Sequence, residues 1–353
     1  MDVSHGDVFQ YPDGEGGTMK AIVQNRYGSP DVLELREVDE PVVGDDQVLV
    51  RVRAASVHAD VWHVMRGRPY VLRIMGAGLR TPKNLVPGTD LAGPVESVGR
   101  NVTRFHAGDE VFGQSLVANL WRHGGAFAEY AAVPEARFEL KPAGLTFEQA
   151  AAVPTSGSIA VQGVRDEGRI QAGQKVLING AGGAVGTFAV QLAKAYGANV
   201  TGVDATGKLD MLRSIGADRV IDYTQEDFTR SGERYDLILD IPGNHAWPDI
   251  RRALTPVGTY VLIGHDQYGG AGHRWFGSLG RFAKLLVISP FVSQLHPFRG
   301  TKDPGDRLVV LKELIEAGKV TPVIDWTFSL AEVPEAIRYL ESGQALGKVI
   351  ITV

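Results

Sequence analysis

The sequence predicts an α/β protein in which a β-rich domain is followed by a doubly wound parallel sheet. Short β-type runs broken by Gly and Pro fill residues 19–143. Near Thr146 the pattern changes, and short apolar runs begin to alternate with segments of helical periodicity. Such alternation is typical of βαβ units on a parallel sheet that is buried on both faces.

The β-rich part is predicted to contain strands separated by turns and long loops. It is preceded by residues 1–18, which are rich in Gly and acidic residues and lack periodicity, so that a disordered extension is expected there. The strands are predicted at Met19–Gln24, Gln47–Ala54, Pro94–Val98 and Phe127–Val133.

The parallel half is predicted as strands that alternate with helices. Gly197 and Gly216 each follow a predicted helix, at the position where a left-handed residue often ends it. The strands are predicted at Lys175–Asn179, Asn199–Asp204, Arg219–Asp222, Tyr235–Asp240 and Thr259–Gly264, and the helices at Val185–Tyr196, Lys208–Ile215 and Ile250–Leu254.

Residues 265–305 interrupt this alternation, and the chain then closes with two helices and a strand. Ser329 and Glu332 have the spacing of a capping box in front of the second helix. The predicted closing elements are Asp306–Ala317, Ala331–Ser342 and Lys348–Val353.

Composition argues against a nucleic-acid partner and against disulfides. Of the 353 residues 44% are hydrophobic and 22% are charged, as in ordinary soluble domains, and the length favours two domains. The net charge of −5 lacks the basic surplus that phosphate neutralisation requires. The absence of cysteine excludes thiolate nucleophiles, iron–sulfur clusters and Cys-ligated zinc. Since no apolar run could span a bilayer and no signal peptide is evident, the cytoplasm is the expected compartment, without stable membrane insertion.

The main functional motif is the Gly-rich turn Gly-Ala-Gly-Gly-Ala-Val-Gly at residues 180–186. Its glycines permit a tight strand-to-helix turn, a close approach of pyrophosphate to the backbone, and close packing of the helix on the strand. The helix N-terminus then presents N–H groups to the phosphates. The turn therefore predicts a nicotinamide dinucleotide, with a Gly-rich turn that binds nothing as the alternative. The predicted contacts are Gly180, Gly183, Ala184, Val185 and Gly186.

Asp204 and Lys208 bear on which dinucleotide binds. A carboxylate at the end of the second strand accepts hydrogen bonds from the ribose 2′-OH and repels a 2′-phosphate, which favours NAD. Lys208, four residues later, could instead pair with that phosphate of NADP. The sequence favours NAD slightly and leaves NADP open.

Several motifs follow one another along the chain at residues 87–93, 108–113, 124–130, 180–194, 216–218 and 347–350. In this order and at these distances they resemble the medium-chain dehydrogenase/reductase superfamily, in particular its zinc-free quinone oxidoreductase and enoyl reductase branch. The resemblance extends from Met19 to Val353.

This resemblance implies a GroES-like β domain wrapped around a Rossmann doubly wound parallel sheet. Residues 19–145 and 322–353 are expected to form the GroES-like catalytic domain, and residues 146–321 the Rossmann dinucleotide-binding domain. The active site is then expected in the cleft between them. The resemblance also implies a homodimer formed through the edge of the Rossmann sheet.

The resemblance identifies the positions where zinc-dependent members hold their catalytic metal. They match His58, Thr89, Asp90 and Thr155 here, and the segment that carries four structural-zinc cysteines is missing. One imidazole and two threonines do not provide the tetrahedral ligand set that zinc requires. We therefore expect no metal.

Without zinc, the expected reaction is hydride transfer from the nicotinamide to an electrophilic carbon of an enone or quinone. The site must hydrogen-bond the carbonyl as enolate charge develops. Relatives often place an Asn for this purpose in the motif Ser-Val-Asn-Pro-x-Asp-Trp. The matching residues here are 56–62, in which His58 replaces the Asn and the acidic residue, Asp60, stands one position earlier than in the motif. We expect His58 to donate to the carbonyl and to supply a proton, with a histidine bonded to the backbone as the alternative.

Several further residues are candidates for the active site and the cofactor site. Trp62 is predicted to form a pocket wall rather than to react. Tyr70 is a second candidate hydroxyl donor, with ordinary packing as the alternative. Tyr223 resembles a residue that lies near the cofactor in relatives, with ordinary packing at the end of the sheet as the alternative. Gly264 and Lys348 are also predicted to contact the cofactor. The apolar segment Trp275–Phe298 is expected to form a lid or pocket wall, or else a dimer contact or a membrane-surface helix.

The leading hypothesis is an NAD(P)H-dependent reductase of hydrophobic quinones or α,β-unsaturated carbonyls. One alternative is alcohol/aldehyde dehydrogenase activity, which the missing zinc ligands disfavour. Another is a non-catalytic dinucleotide- or partner-binding protein, which the altered motif around His58 keeps open.

Overall fold

The computed structural model describes residues 17–115, 125–264, 275–277, 279–295 and 305–353. Residues 1–16 of the predicted disordered extension lie outside the described residues, whereas Thr18 already belongs to the first strand.

The β-rich part of the chain and its C-terminal end share one mixed sheet, in which the described strands follow the order β14-β15-β4-β5-β3-β7 and β6 pairs with β5 and β8. The last strand is antiparallel to β4, with Val349 opposite Val57. β1 and β2 form a separate antiparallel pair. The strand bounds are β1 Thr18–Gln24, β2 Leu33–Asp39, β3 Gln47–Arg51, β4 Ala54–Val57, β5 Asp90–Val98, β6 Glu110–Gln114, β7 Tyr130–Pro134, β8 Phe138–Leu140, β14 Ile324–Ser329 and β15 Lys348–Thr352.

The second half contains the predicted parallel sheet, with the described strands in the order β11-β10-β9-β12-β13. Every adjacent pair in it is parallel. This Rossmann-like sheet, together with the mixed sheet, confirms the predicted α/β fold class. The strands are β9 Lys175–Asn179, β10 Asn199–Asp204, β11 Arg219–Asp222, β12 Tyr235–Asp240 and β13 Leu254–Leu262.

The helices of the described residues include several that the sequence pattern did not predict. The helices are α1 Ala59–Arg66, α2 Phe147–Ala151, α3 Pro154–Val161, α4 Ala184–Ala195, α5 Leu209–Ser214, α6 Trp247–Ala253, α7 Leu279–Ile288, α8 Gly305–Glu316 and α9 Val333–Glu341. None of them is long and apolar enough to cross a membrane.

Two differences from the predicted elements have clear physical causes. The predicted strand over residues 47–54 is wrong, because the chain divides there into β3 and β4, which occupy different places in the sheet. Helix α3 was missed because nearly all of its residues are buried, so it has no polar face to give a helical period. Helix α2 begins with a capping box formed by Thr146 and Gln149.

The hydrophobic core continues across the two parts of the chain. One cluster combines Phe112 of the mixed sheet with Val161 of α3 and Phe188 of α4, all fully buried. A second cluster fills the β-rich part and includes residues of α9 and β15. The C-terminal tail is therefore held within the N-terminal sheet by both hydrogen bonds and apolar packing.

Candidate active site

The Gly-rich turn has the geometry that a pyrophosphate requires. Gly180 has a φ of 79°, a left-handed conformation that favours glycine. A Cβ on Gly186 would lie 2.3 Å from the carbonyl oxygen of Gly180, so a side chain there would push the turn apart. The first residue of α4 follows Gly183, and no side chain caps that end of the helix. The N-terminus of α4, including Ala184 and Val185, thus remains available to an anion.

Asp204 and Lys208 both lie against this turn. The Asp204 carboxylate accepts a hydrogen bond from the N–H of Gly182 at 2.7 Å and another from the N–H of Ala205 at 2.9 Å. Lys208 Nζ lies 3.9 Å from the same carboxylate and donates to the carbonyl oxygen of Ala345 at 2.8 Å. A carboxylate and an ammonium therefore lie side by side at the end of β10, where the adenosine ribose is expected.

Gly347, the residue before β15 of the mixed sheet, contacts the Gly-rich turn. The N–H of Gly347 donates to the carbonyl oxygen of Gly182 at 3.0 Å, and Gly183 and Gly347 form an isolated parallel bridge. The cofactor turn and the C-terminal strand of the mixed sheet are thus joined directly. Lys348 directly follows the residue that contacts the turn, and its side chain is directed to Asp90.

The side chain of Lys348 belongs to a buried polar cluster around Asp90. Its Nζ lies 3.3 Å from Asp90 Oδ2, and neither side chain has exposed surface. Ser56 donates to that same oxygen at 3.1 Å. Thr155 of α3 donates both its N–H, at 3.1 Å, and its hydroxyl to Asp90 Oδ1. Lys348 also donates to the carbonyl oxygen of Val57 at 3.4 Å, so that both buried charges have partners.

His58 lies at the N-terminus of α1, as its N-cap residue. Its Nδ1 is 3.1 Å from Asp60 Oδ1, and the backbone N–H of Asp60 approaches the same nitrogen at 3.4 Å. Asp60 is itself fixed by hydrogen bonds from the Thr89 hydroxyl at 2.9 Å and the Val61 N–H at 2.8 Å. Nε2 makes no hydrogen bond to a described residue, so it is the ring nitrogen that a substrate can approach.

Trp62 and Tyr70 lie further along the same part of the chain. The indole of Trp62 is nearly buried, and its N–H donates to Glu341. Tyr70 is half-buried, and its ring meets that of Trp275 edge to face at 5.3 Å between centroids. The described part of the predicted lid therefore contacts the loop after α1, which holds Tyr70.

Tyr223 and Gly264 follow the two outermost described strands of the parallel sheet, β11 and β13. The backbone N–H of Tyr223 donates to the carbonyl oxygen of Asp204 at 3.2 Å, and its side chain is exposed. Gly264 follows β13, and a Cβ there would lie 2.6 Å from the carbonyl oxygen of Ile241. Both residues are at the carboxyl ends of parallel strands, the edge where doubly wound sheets bind ligands.

Sequence reasoning missed a buried carboxylate at that same edge. Asp240 ends β12, and its carboxylate accepts hydrogen bonds from Asn179 Nδ2 and the Gly243 N–H, both at 2.9 Å, and from the Tyr260 hydroxyl at 2.8 Å. Burial raises the pKa of Asp240, and burial together with the adjacent carboxylate raises the pKa of Tyr260. The available signal was that two adjacent parallel strands end in Asn179 and Asp240.

Among the described residues, no three His, Asp or Glu side chains converge as metal ligands do.

Two family models match the chain. "Alcohol dehydrogenase GroES-like domain" matches residues 44–143, and "Zinc-binding dehydrogenase" matches residues 215–351. The chain is 34% identical over 340 residues to the 2-methylene-furan-3-one reductase of Solanum lycopersicum, covering 94% of this chain and 79% of that protein.

The protein belongs to the medium-chain dehydrogenase/reductase superfamily. A second member, the chloroplastic NADPH-dependent alkenal/one oxidoreductase of Arabidopsis thaliana, is 34% identical over 342 residues, with 94% of this chain and 79% of that protein covered. The structure of the quinone oxidoreductase from Coxiella burnetii superposes with a TM-score of 0.80 at 26% identity, covering 96% of this chain and all of the other. The protein is accordingly an NAD(P)H-dependent oxidoreductase that uses a nicotinamide dinucleotide.

Gly186→Ala is expected to weaken NADH and NADPH binding roughly tenfold or more, a loss of about 1.4 kcal/mol, because the added Cβ must displace the turn. The dissociation constants are measured from the fluorescence of the bound nicotinamide. Gly144→Ala is the matched control, since a Cβ there meets nothing within 4 Å. Equal affinities in Gly186→Ala and the wild type would place the dinucleotide elsewhere.

Lys348→Met is expected to lower the free energy of unfolding by about 3–5 kcal/mol, because it leaves the buried Asp90 carboxylate without its cation. Urea denaturation measures this change. Adding Asp90→Asn should restore part of the loss, whereas Lys175→Met, which removes an exposed ion pair with Glu233, should have little effect. A Lys348→Met protein as stable as the wild type would contradict this account of the cluster.

Proposed function

We propose that this protein is a zinc-independent reductase that transfers a hydride from NAD(P)H to the β-carbon of an α,β-unsaturated carbonyl compound or to a quinone ring. The main support for the proposal comes from the interactions of the residues that occupy the zinc-ligand positions of zinc-dependent members. Asp90 is neutralised by the Lys348 ammonium and accepts from Thr155, while His58 is paired with Asp60. The Asp90 carboxylate is therefore already engaged by other groups, and the remaining imidazole nitrogen, His58 Nε2, does not by itself provide the ligand set that zinc requires.

The substrate class follows from what such a site can do. Without a metal to polarise an alcohol or aldehyde, the acceptor carbon must already be electrophilic, as in an enone or quinone. Two relatives, a 2-methylene-furan-3-one reductase and an alkenal/one oxidoreductase, support this class. We propose a hydrophobic substrate because the described part of the lid exposes Trp275 and Phe276.

The chain's own residues would act on the oxygen of the substrate. The bound dinucleotide supplies the hydride. In the tautomer whose Nδ1 accepts from the backbone N–H of Asp60, His58 donates a hydrogen bond from Nε2 to the carbonyl oxygen as enolate charge develops there. Thr89 holds the second carboxylate oxygen of Asp60, which keeps the imidazole in place. We propose that Tyr70 contributes to the pocket wall and that Trp62 positions α1 through its bond to Glu341.

Two further features complete the proposal. We propose that the protein forms a homodimer through the edge of the Rossmann sheet, where β13 is the last described strand of the order. We also propose the cytoplasm as its compartment, although the name of one relative places that protein in the chloroplast.

We propose a preference for NAD over NADP because the Asp204 carboxylate would repel a 2′-phosphate. Asp204→Asn, which keeps an oxygen for the Gly182 N–H, should therefore shift the NADH to NADPH ratio of kcat/KM about tenfold toward NADPH, the equivalent of 1.4 kcal/mol. Lys208→Ala should shift it in the opposite direction. A ratio that changes less than twofold in both variants would remove these residues from cofactor discrimination.

The proposed reaction is tested by following NAD(P)H oxidation at 340 nm with a panel of enones, quinones, aldehydes and ketones. His58→Ala should lower kcat/KM for enones about a hundredfold, the typical loss of one donor to a developing oxyanion, without changing the dissociation constant for NADH. The control is His106→Ala, which removes an exposed imidazole. Turnover should persist in the presence of a chelator.

Three results would contradict this proposal. Chelator-sensitive turnover of aldehydes alone would indicate a metal-dependent alcohol dehydrogenase. Binding of NADH without turnover of any acceptor would indicate a non-catalytic protein. Unchanged kinetics in His58→Ala would remove the imidazole from the reaction.

A further inference from the structure

A cavity lies at the C-terminal end of α1, apart from the Gly-rich turn and its helix. Its volume is about 190 Å³, and it is lined mainly by Tyr27, Ser29, Tyr70 and three arginines, Arg66, Arg68 and Arg73. We propose that this cavity binds a small oxyanion, the carboxylate or phosphate group of a ligand. Binding of such an anion as a separate molecule does not depend on the proposed reductase activity.

The three arginines differ in how they are held. Arg66 is paired with Glu341, to which its Nε donates at 2.8 Å. Arg73 donates from Nε to the carbonyl oxygen of Gly67 at 2.9 Å. The guanidinium of Arg68, which is half-buried, makes no hydrogen bond or ion pair with a described residue. Arg68 therefore has its donors available for a ligand.

Two tyrosines fix the shape of the cavity. The guanidinium of Arg73 lies 4.2 Å from the ring centroid of Tyr27 and 4.8 Å from that of Tyr70. Tyr27 is held by its hydroxyl, which donates to the carbonyl oxygens of Ala77 and Gly78 at 2.9 and 2.6 Å. Stacking on both rings positions this cation before any anion arrives, which reduces the entropy lost on binding.

The local charge balance favours an anion. The nearby carboxylates already have cationic partners, Glu341 with Arg66 and Asp31 with Arg338. Hydrogen bonds from Ser29 and Arg338 and the charge of Arg338 lower the pKa of Asp31, so that this carboxylate stays ionised and engaged. Arg68 and Arg73 remain without a carboxylate partner among the described residues. A planar guanidinium matches the geometry of carboxylate and phosphate oxygens.

The anion has two possible sources. Helix α1 begins next to His58 and ends at Arg66, so it extends over roughly 12 Å at 1.5 Å per residue. An elongated substrate with its reactive end at His58 could place an anionic end in the cavity. A separate small anion could also occupy the cavity alone.

Equilibrium dialysis with radiolabelled inorganic phosphate and with glutarate tests the site. Ionic strength is held constant with NaCl, and the titrations are repeated with saturating NADH so that the Gly-rich turn is filled. We expect saturable binding near one anion per chain. Arg68→Ala should weaken it roughly ten- to a hundredfold, the effect of losing charge-assisted hydrogen bonds. Arg68→Lys should restore part of the affinity, and Arg100→Ala, which removes an exposed arginine, should bind as the wild type does.

A pair of substrates distinguishes the two sources. If the anion is the end of the substrate, Arg68→Ala raises KM for an enone that ends in a carboxylate and leaves KM for its methyl ester unchanged. If the anion is a separate molecule, phosphate or glutarate binds as described and neither KM changes. Absence of saturable binding to the wild type, or equal binding to Arg68→Ala and the wild type, would overturn the proposal. The dialysis result decides this even if no enone is reduced.

Discussion

The fold depends on one buried carboxylate, that of Asp90. Its oxygens accept from Ser56 of β4, from Thr155 of α3 and from Lys348 of β15, so that it connects three distant parts of the chain. An ammonium and a carboxylate without exposed surface are tolerated only as a hydrogen-bonded pair, because the desolvation of either one alone costs several kcal/mol. This cluster therefore joins the C-terminal strand and α3 to β4 and β5 of the mixed sheet.

That arrangement brings the cofactor turn and the candidate catalytic histidine into one region. Lys348 is held by Asp90, and the residue before it, Gly347, bonds to the Gly-rich turn at Gly182. Val57, which accepts from the Lys348 ammonium, directly precedes His58. The same ion pair is thus linked to the Gly-rich turn through Gly347 and to the N-terminus of α1 through Val57.

Much of the parallel half could be predicted from the sequence. The bounds of β9, β10, β11 and β12 agree with those expected, because these strands are short apolar runs bounded by clear turn residues. The αL positions at Gly197 and Gly216 and the capping box at Ser329 and Glu332 are also confirmed. The β-rich half was harder to predict, since its strands are paired with partners far along the chain and α1 is mostly buried.

The site residues show where sequence reasoning reaches its limit. The tight Gly-rich turn could be predicted because its backbone geometry requires glycine at fixed spacing. The partners of Lys348 could not be found, because Asp90 lies 258 residues away and nothing in either local sequence indicates the contact. The carboxylate of Asp240 and the cavity at Arg68 likewise depend on side chains brought together only by the tertiary fold.

We propose that this oxidoreductase reduces a carbon–carbon double bond without a metal. The proposal is tested by turnover of an enone with NADH or NADPH that is deuterated at C4 of the nicotinamide, followed by NMR of the product. We expect deuterium on the β-carbon and an intact carbonyl group. Deuterium on the former carbonyl carbon, in an allylic alcohol, would overturn the proposal.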